Sequence, residues 1–200
     1  MMSMNQISEK VFEVISSNEF KVKIESLNSN FSNLKQEIVI RDEILKLFNK
    51  NNDVLRSFAE VVDTEFTPNE KSKRSRIDLL IKNKNKLDFN YKVEIKFFFN
   101  KDVKNGRKSS FIKNVDIKKC DLLIIIVQEF DIELRERFLN EWGISDNLSK
   151  YQYKKLEENR FNNLIKNFED RKDGQFLLLE DITIDKPYPT TYKFFCLSKL

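Results

Sequence analysis

Histidine is absent from the 200 residues of this chain, and glycine and cysteine are scarce. The absence of histidine excludes Ser-His-Asp and Cys-His catalysis, histidine-ligated zinc and the nucleases that use a histidine base. The three glycines, Gly106, Gly143 and Gly174, are too dispersed to form a glycine-rich phosphate loop. Carboxylates and lysine are the catalytic groups that remain. Oxygen ligands of this kind favour Mg²⁺ or Mn²⁺ over zinc.

The two cysteines, Cys120 and Cys196, are too few for a disulfide framework. Both lie in apolar or element-end positions, which are typical of inert buried thiols. Residues 1–6 show no basic region followed by an apolar stretch, so no secretory signal is expected. The longest apolar run, Leu122–Val127, is far too short to cross a bilayer. We therefore expect a cytoplasmic protein without a membrane partner.

Hydrophobic residues make up 40% of the chain and include 18 phenylalanines, which argues against disorder. A length of 200 residues suits one domain with a sizeable core. The net charge of +4 is basic but mild, and alone it does not establish nucleic-acid binding.

Two apolar segments, Arg76–Ile81 and Lys92–Phe97, carry charged residues inside strand-like patterns. Period-two alternation sends the apolar side chains of the first segment to one face of a sheet and Asp78 to the other. In the second segment the same alternation leaves Glu94 and Lys96 together on the face opposite their apolar neighbours. Acids at these positions are unusual enough to need an explanation.

The polar stretch 82–86 between the two segments predicts a hairpin bend. If the bend is centred near Lys86, Asp78 and Glu94 face each other across the hairpin. Cross-strand partners have Cβ atoms about 5 Å apart. Two carboxylates at that separation repel each other unless a cation lies between them or one stays protonated. The pattern therefore favours a divalent metal site.

This arrangement resembles the core of the PD-(D/E)XK nuclease superfamily. In that superfamily an acid on one strand is followed, on the next strand, by an acid, an apolar residue and a lysine. The matching residues are Asp78 and then Glu94-Ile95-Lys96. The resemblance covers about residues 34–128, and it departs from the pattern at Ile77, where a proline often stands.

The superfamily often places a further glutamate on the helix before the sheet. The helical segment 36–45 offers Glu37 as the best match and Glu43 as the second. The resemblance implies that Asp78, Glu94 and the backbone carbonyl of Ile95 hold Mg²⁺, with Mn²⁺ as a substitute. It implies that Glu37 reaches a metal-bound water or a second metal.

The implied reaction is metal-dependent hydrolysis of a DNA phosphodiester, as in a restriction or defence endonuclease. Lys96 would orient and help deprotonate the attacking water, or stabilise the pentacovalent transition state. Because two acids lie nearby, the charged ammonium is favoured, and a stabilising role is the safer expectation. Arg76 and a loop after Lys96 would contact DNA phosphates. The basic residues of that loop region are Lys101, Lys104, Arg107, Lys108 and Lys113.

The expected fold is α/β, with a mixed central sheet flanked by helices in the order αβββαβ. The sequence predicts helices within 6–50, at 109–119, at 131–142 and at 151–168, and strands at 57–66, 76–81, 92–97, 121–128, 175–179 and 192–197. The continuously apolar strand 121–128 is typical of a central strand that pairs in parallel through a crossover helix. The whole chain forms one domain in this interpretation, with a C-terminal extension over about residues 129–200.

Several alternatives remain open from the sequence. The acids and lysine fit an ordinary antiparallel hairpin with one wet face, on which Lys96 forms a surface ion bridge. A non-catalytic nucleic-acid-binding or assembly protein on the same scaffold is the second functional class. A protein-interaction module, such as an immunity protein or antitoxin, is the third. The sequence does not separate DNA from RNA, a homodimer from a monomer, or a sheet extension from a dimer contact or specificity element at the C-terminal end.

Overall fold

Four helices and seven strands make up the described residues of the computed structural model, which are 4–31, 36–62, 76–98, 120–144 and 174–199. The helices are α1 Met4–Ser16, α2 Asn18–Phe31, α3 Glu37–Lys50 and α4 Ile132–Glu141. The strands are β1 Leu55–Val62, β2 Arg76–Asn83, β3 Lys86–Phe98, β4 Leu122–Phe130, β5 Gly174–Leu178, β6 Ile182–Ile184 and β7 Thr190–Lys199. The predicted mixed α/β class is confirmed.

Helices α1, α2 and α3 form because their apolar residues recur every three or four positions and share one face. Ile40, Ile44 and Leu47 of α3 are buried in the same core cluster as Ile7 and Val11 of α1. That cluster also contains the apolar face of β2, β3, β4 and β7, so the three helices cover one side of the sheet. Asp131 caps α4 by accepting a hydrogen bond from the backbone N–H of Leu134, at 2.9 Å.

The strands form one sheet in the order β1-β2-β3-β4-β7-β5, with β6 also paired to β7. The pairs β1–β2, β2–β3 and β4–β7 are antiparallel, whereas β3 and β4 run parallel. Residues 122–128 of β4 are buried on both faces, which confirms the central parallel strand predicted from its apolar run. The predicted crossover helix at 109–119 lies outside the described residues.

The C-terminal part of the chain extends this sheet, because β7 lies between β4 and β5. The predicted strands at 175–179 and 192–197 correspond to β5 and the longer β7. The sequence did not predict β6, whose three residues are too few for a visible alternation. The predicted helix at 151–168 lies outside the described residues.

The hairpin between β2 and β3 differs from the expected one. The turn Lys84-Asn85 lies within the predicted bend 82–86 but before its assumed centre near Lys86. Leu79 pairs with Val93, and this register continues to Lys82 before it shifts near the turn. Extra residues of β3 are accommodated at that shift. They restore the register that places Asp78 level with Glu94, even though the turn is elsewhere.

Strand β1 begins two residues earlier than predicted and is described only to Val62. Both cysteines, Cys120 and Cys196, are buried as expected. Burial raises the pKa of the Cys196 thiol. No helix in the described part of the chain combines the length and apolar character needed to cross a bilayer.

Candidate active site

The candidate site lies where β2 and β3 separate. Their backbone pairing reaches Leu79 and Val93, while β2 stays paired with β1 as far as Arg76. At Asp78, where β2 no longer pairs with β3, the Asp78 side chain takes the place of the backbone hydrogen bond to β3. Its Oδ2 atom accepts a hydrogen bond from the backbone N–H of Ile95, at 2.8 Å. The carboxylate is thereby fixed against β3.

Glu37, the first residue of α3, reaches the same edge of β3 from the helical layer. Its Oε2 atom accepts a hydrogen bond from the backbone N–H of Phe97, at 2.9 Å. Residues 95 and 97 of a strand direct their N–H groups to the same edge, and the other edge of β3 pairs with β4. Two carboxylates therefore take the place of a neighbouring strand here, and the helix and sheet meet at the site.

The Lys96 ammonium lies among oxygens of three different residues. Its Nζ atom is 2.7 Å from Glu94 Oε1, 2.9 Å from the Ile95 carbonyl oxygen and 3.4 Å from Asp78 Oδ2. These are the three groups that the sequence analysis assigned to the metal. The side chains are 2% exposed for Glu94, 17% for Asp78 and 20% for Lys96, so the cluster differs from the wet surface bridge considered above.

Opposing effects act on the pKa of Lys96. Burial lowers it, but the charges of Glu94, Asp78 and Glu37 and the hydrogen bond to Glu94 raise it, and the net pKa lies above its ordinary value. The lysine is therefore a charged ammonium at neutral pH. The ammonium contacts two carboxylates, and Glu37 acts on it through its charge.

The donor atoms fit a hard cation that keeps part of its water shell. Two carboxylates and one backbone carbonyl surround the ammonium position, and Mg²⁺ is usually held by one or two carboxylates together with several waters. Among the residues that the structure describes, no three acidic, histidine or cysteine side chains form a metal-binding group by themselves. A bound ion would depend on the Ile95 carbonyl and on water for its remaining ligands.

The second helical candidate, Glu43, does not share these contacts. Its Oε1 atom lies 3.8 Å from Nζ of Lys46, one turn along α3. Of the two candidates, Glu37 is therefore the one that bonds to β3.

Glu60 of β1 is held in the left-handed region, with φ of 55°. It lies level with Asp78, between the pairs Ala59–Leu79 and Val61–Ile77. Its carboxylate forms ion pairs with two arginines.

Arg41 of α3 is buried and bonds both Glu60 and Asp42. Neither Glu60 nor Arg41 is among the site residues predicted from the sequence. The spacing of four residues from Glu37 to Arg41, which places both on one helix face, was the available signal.

Arg76 is the one predicted DNA-contacting residue that lies within the described chain. Its side chain is 66% exposed and its Nη1 atom is 3.5 Å from Glu60 Oε2. The other five, which are Lys101, Lys104, Arg107, Lys108 and Lys113, lie outside the described residues.

Comparison with known protein families, curated proteins and solved structures finds no match to this chain. What the protein does must therefore be inferred from its own residues and their geometry.

Proposed function

We propose that this chain is a metal-dependent DNA endonuclease that hydrolyses phosphodiester bonds, with a core of the PD-(D/E)XK type. One observation carries the proposal. Asp78, Glu94 and Lys96 meet at a break between two strands, with oxygens of both acids and of the Ile95 carbonyl 2.7–3.4 Å from one cationic atom. Such convergence is what metal-assisted phosphoryl chemistry requires.

The order of the described elements supports the same proposal. Helix α3 is followed by the antiparallel strands β1, β2 and β3 and then by β4, which is parallel to β3. The superfamily core that the sequence resembles has this order, with a further helix before its last strand. We assign the role of the helical glutamate to Glu37 at the start of α3.

Asp78, Glu94 and the Ile95 carbonyl would hold the Mg²⁺ ion, or Mn²⁺ in its place. When bound, such an ion polarises the scissile phosphate and lowers the pKa of its water ligand. The acids beside Lys96 raise its pKa, so we assign it the role of stabilising negative charge on the phosphate rather than of removing a proton. Glu37 fixes the edge of β3 through Phe97 and thereby keeps Glu94 and Lys96 aligned.

Basic residues would bind the DNA backbone near this site. Arg76 leads into β2 two residues before Asp78, and the basic region 101–113 follows soon after Lys96 in the chain. Contacts between these side chains and phosphates would give affinity that does not depend on base sequence and that falls steeply with added salt.

A plasmid-nicking assay tests the proposal. Lys96→Ala is expected to reduce cleavage by roughly 100-fold or more, because it removes a preorganised positive charge, and to leave DNA binding largely intact. Asp78→Asn should abolish both metal binding and cleavage, and EDTA should abolish cleavage by the unchanged protein.

Lys82→Ala is the matched control, because Lys82 lies on the same face of β2 as Asp78 but bonds Leu87 and Asn90 instead of the acids. It should cut DNA normally. Undiminished nicking by the Asp78→Asn protein would end the proposal.

The second functional class, a non-catalytic nucleic-acid-binding or assembly protein, is favoured by the same ammonium. Lys96 bonds one oxygen of each of the three groups assigned to the metal, so the ammonium already compensates the charge of these acids without a metal. DNA binding that is unaffected by EDTA, together with no cleavage under any divalent ion, would support this class.

A further inference from the structure

The Lys96 side chain is completely provided with acceptors. An ammonium group has three protons to donate, and Lys96 Nζ has three oxygen neighbours, from Glu94, Ile95 and Asp78. All three lie within 3.4 Å. The ammonium is thus bound as a cation in a small oxygen site, and it is tethered to that site by its own side chain.

A divalent ion bound to the same oxygens would lie about 2.0–2.1 Å from each of them. The ammonium nitrogen occupies the space between these oxygens, so both cations cannot be there together. We propose that Lys96 is an internal competitor for the metal, and that the ion binds only when the ammonium leaves Glu94 and Asp78. This inference rests on the proposed function, because it assumes that the site takes a divalent cation.

The exchange requires movement of one side chain only. The backbone of Lys96 is fixed by the parallel pairing of β3 with β4, where Lys96 lies opposite Ile125. The four-carbon lysine side chain can change rotamer without moving that backbone. The side chain is 20% exposed, so it already has an outlet to solvent. Competition of this kind weakens metal binding without altering the ligands themselves.

Calorimetric titration with Mn²⁺ measures the competition. Lys96→Met keeps the length of the side chain and removes the ammonium, so we expect it to bind Mn²⁺ about tenfold more tightly than the unchanged protein, since a charge-assisted contact must no longer be broken. Its DNA cleavage should be lost at the same time. Tighter metal binding with lost activity distinguishes competition from a simple supporting role.

Lys82→Met is the matched control for charge. Lys82 lies on the same face of β2 as Asp78, and its Nζ atom bonds the Leu87 carbonyl and Asn90 rather than the acids. The substitution changes the net charge by the same amount as Lys96→Met. We expect its Mn²⁺ affinity to stay within about twofold of the unchanged protein, because distant exposed charges are largely screened. An equal gain in both variants would mean that overall charge, and not competition, controls the affinity.

A second measurement does not depend on folding of the variant. In the unchanged protein, the ammonium signal of Lys96 in a lysine side-chain NMR spectrum should shift or disappear as Mg²⁺ saturates the site. A signal that stays unchanged while Mg²⁺ binds would overturn the inference.

The two proposals fail in different ways. Unaltered or weaker Mn²⁺ binding by Lys96→Met, beside metal-dependent cleavage by the unchanged protein, would refute the competition alone. Absence of Mn²⁺ binding in both proteins would refute the metal site and the competition together.

Discussion

At the scale of single residues, the left-handed backbone of Glu60 is the conformation that needs most explanation. A non-glycine residue at φ of 55° lies in a region that costs roughly 1–2 kcal/mol. The ion pairs with Arg41 and Arg76 hold it there. Strain of this kind collects beside functional sites, and Glu60 lies level with Asp78 across the β1–β2 pair.

Substitution at Glu60 separates the strain from the ion pairs. Both Glu60→Ala and Glu60→Gly lose the ion pairs, but glycine adopts the left-handed region freely. We expect Glu60→Gly to be at least as stable as Glu60→Ala, and up to about 1 kcal/mol more stable. Denaturant unfolding measures the difference.

Phe58, two residues earlier on β1 and similarly exposed, is the matched position. There the order should reverse, with Phe58→Gly less stable than Phe58→Ala by about 0.5–1 kcal/mol. If glycine were less stable than alanine at residue 60 as well as at residue 58, Glu60 would carry no backbone strain.

At the scale of elements, a buried polar network joins the start of α3 to the strands. The Tyr192 hydroxyl of β7 lies 2.7 Å from Gln36 Oε1 and 2.9 Å from Asn28 Oδ1. Gln128 of β4 donates to Tyr192 and Asn28 from its amide nitrogen, at 3.2 and 3.4 Å. Gln36 directly precedes Glu37, so the network anchors the helix end that delivers the site carboxylate.

Tyr192→Phe should lower the free energy of unfolding by about 1–3 kcal/mol, because it removes a buried hydroxyl that lies within hydrogen-bond distance of two oxygens and accepts a bond from Gln128. Thermal or urea unfolding measures the loss. Thr191→Val is a suitable control. Thr191 is the neighbour of Tyr192 on β7, and its substitution removes only an exposed hydrogen bond to Thr183 of β6. It should change stability by less than about 0.5 kcal/mol. Equal effects would show that the network adds nothing specific.

Period-two patterns were enough to predict which faces of β2 and β3 hold Asp78, Glu94 and Lys96. Local alternation determines the direction of each side chain. The register was predicted from a bend assumed to be centred near Lys86, and the observed pair Leu79–Val93 has that register. The centre of the turn was predicted too late in the chain, because the extra residues of β3 opposite Lys82 and Asn83 leave no sign in the hydrophobic pattern.

The polar network could not be predicted, because its members come from distant parts of the chain. Asn28, Gln36, Gln128 and Tyr192 each resemble an ordinary polar residue in an amphipathic segment, and they become partners only in the tertiary structure. The end of the β2–β3 pairing at Asp78 likewise depends on how α3, β2 and β3 lie against one another. A single-strand pattern carries no information about it.

At the scale of the whole molecule, the first helices and the last strands share one core. Phe20 of α2 packs edge-on against Phe194 of β7, with ring centroids 5.8 Å apart. Ile7 and Ile15 of α1 belong to the same buried cluster as Tyr192. The part of the chain that resembles the nuclease core, about residues 34–128, therefore contributes only some of the residues around this centre.

A chain shortened to residues 34–128 is expected to fail to fold, although it contains every proposed catalytic residue. It would lose α1, α2 and β7, and with them many of the apolar residues that share a core cluster with β4. Circular dichroism during heating measures this. The full chain should unfold in a cooperative transition and the shortened one should not. A cooperative transition in the shortened chain would show that the core is independent of its flanks.

The position of β7 also has a consequence for biosynthesis. Strand β7 pairs with β4 and β5 but comes after both in the chain, at residues 190–199. During synthesis, one edge of the apolar strand β4 therefore has no partner until residues 190–199 have emerged from the ribosome. Such an edge is a site where nascent chains aggregate. Translation speed and chaperone capture during that interval should therefore affect how much folded protein a cell obtains.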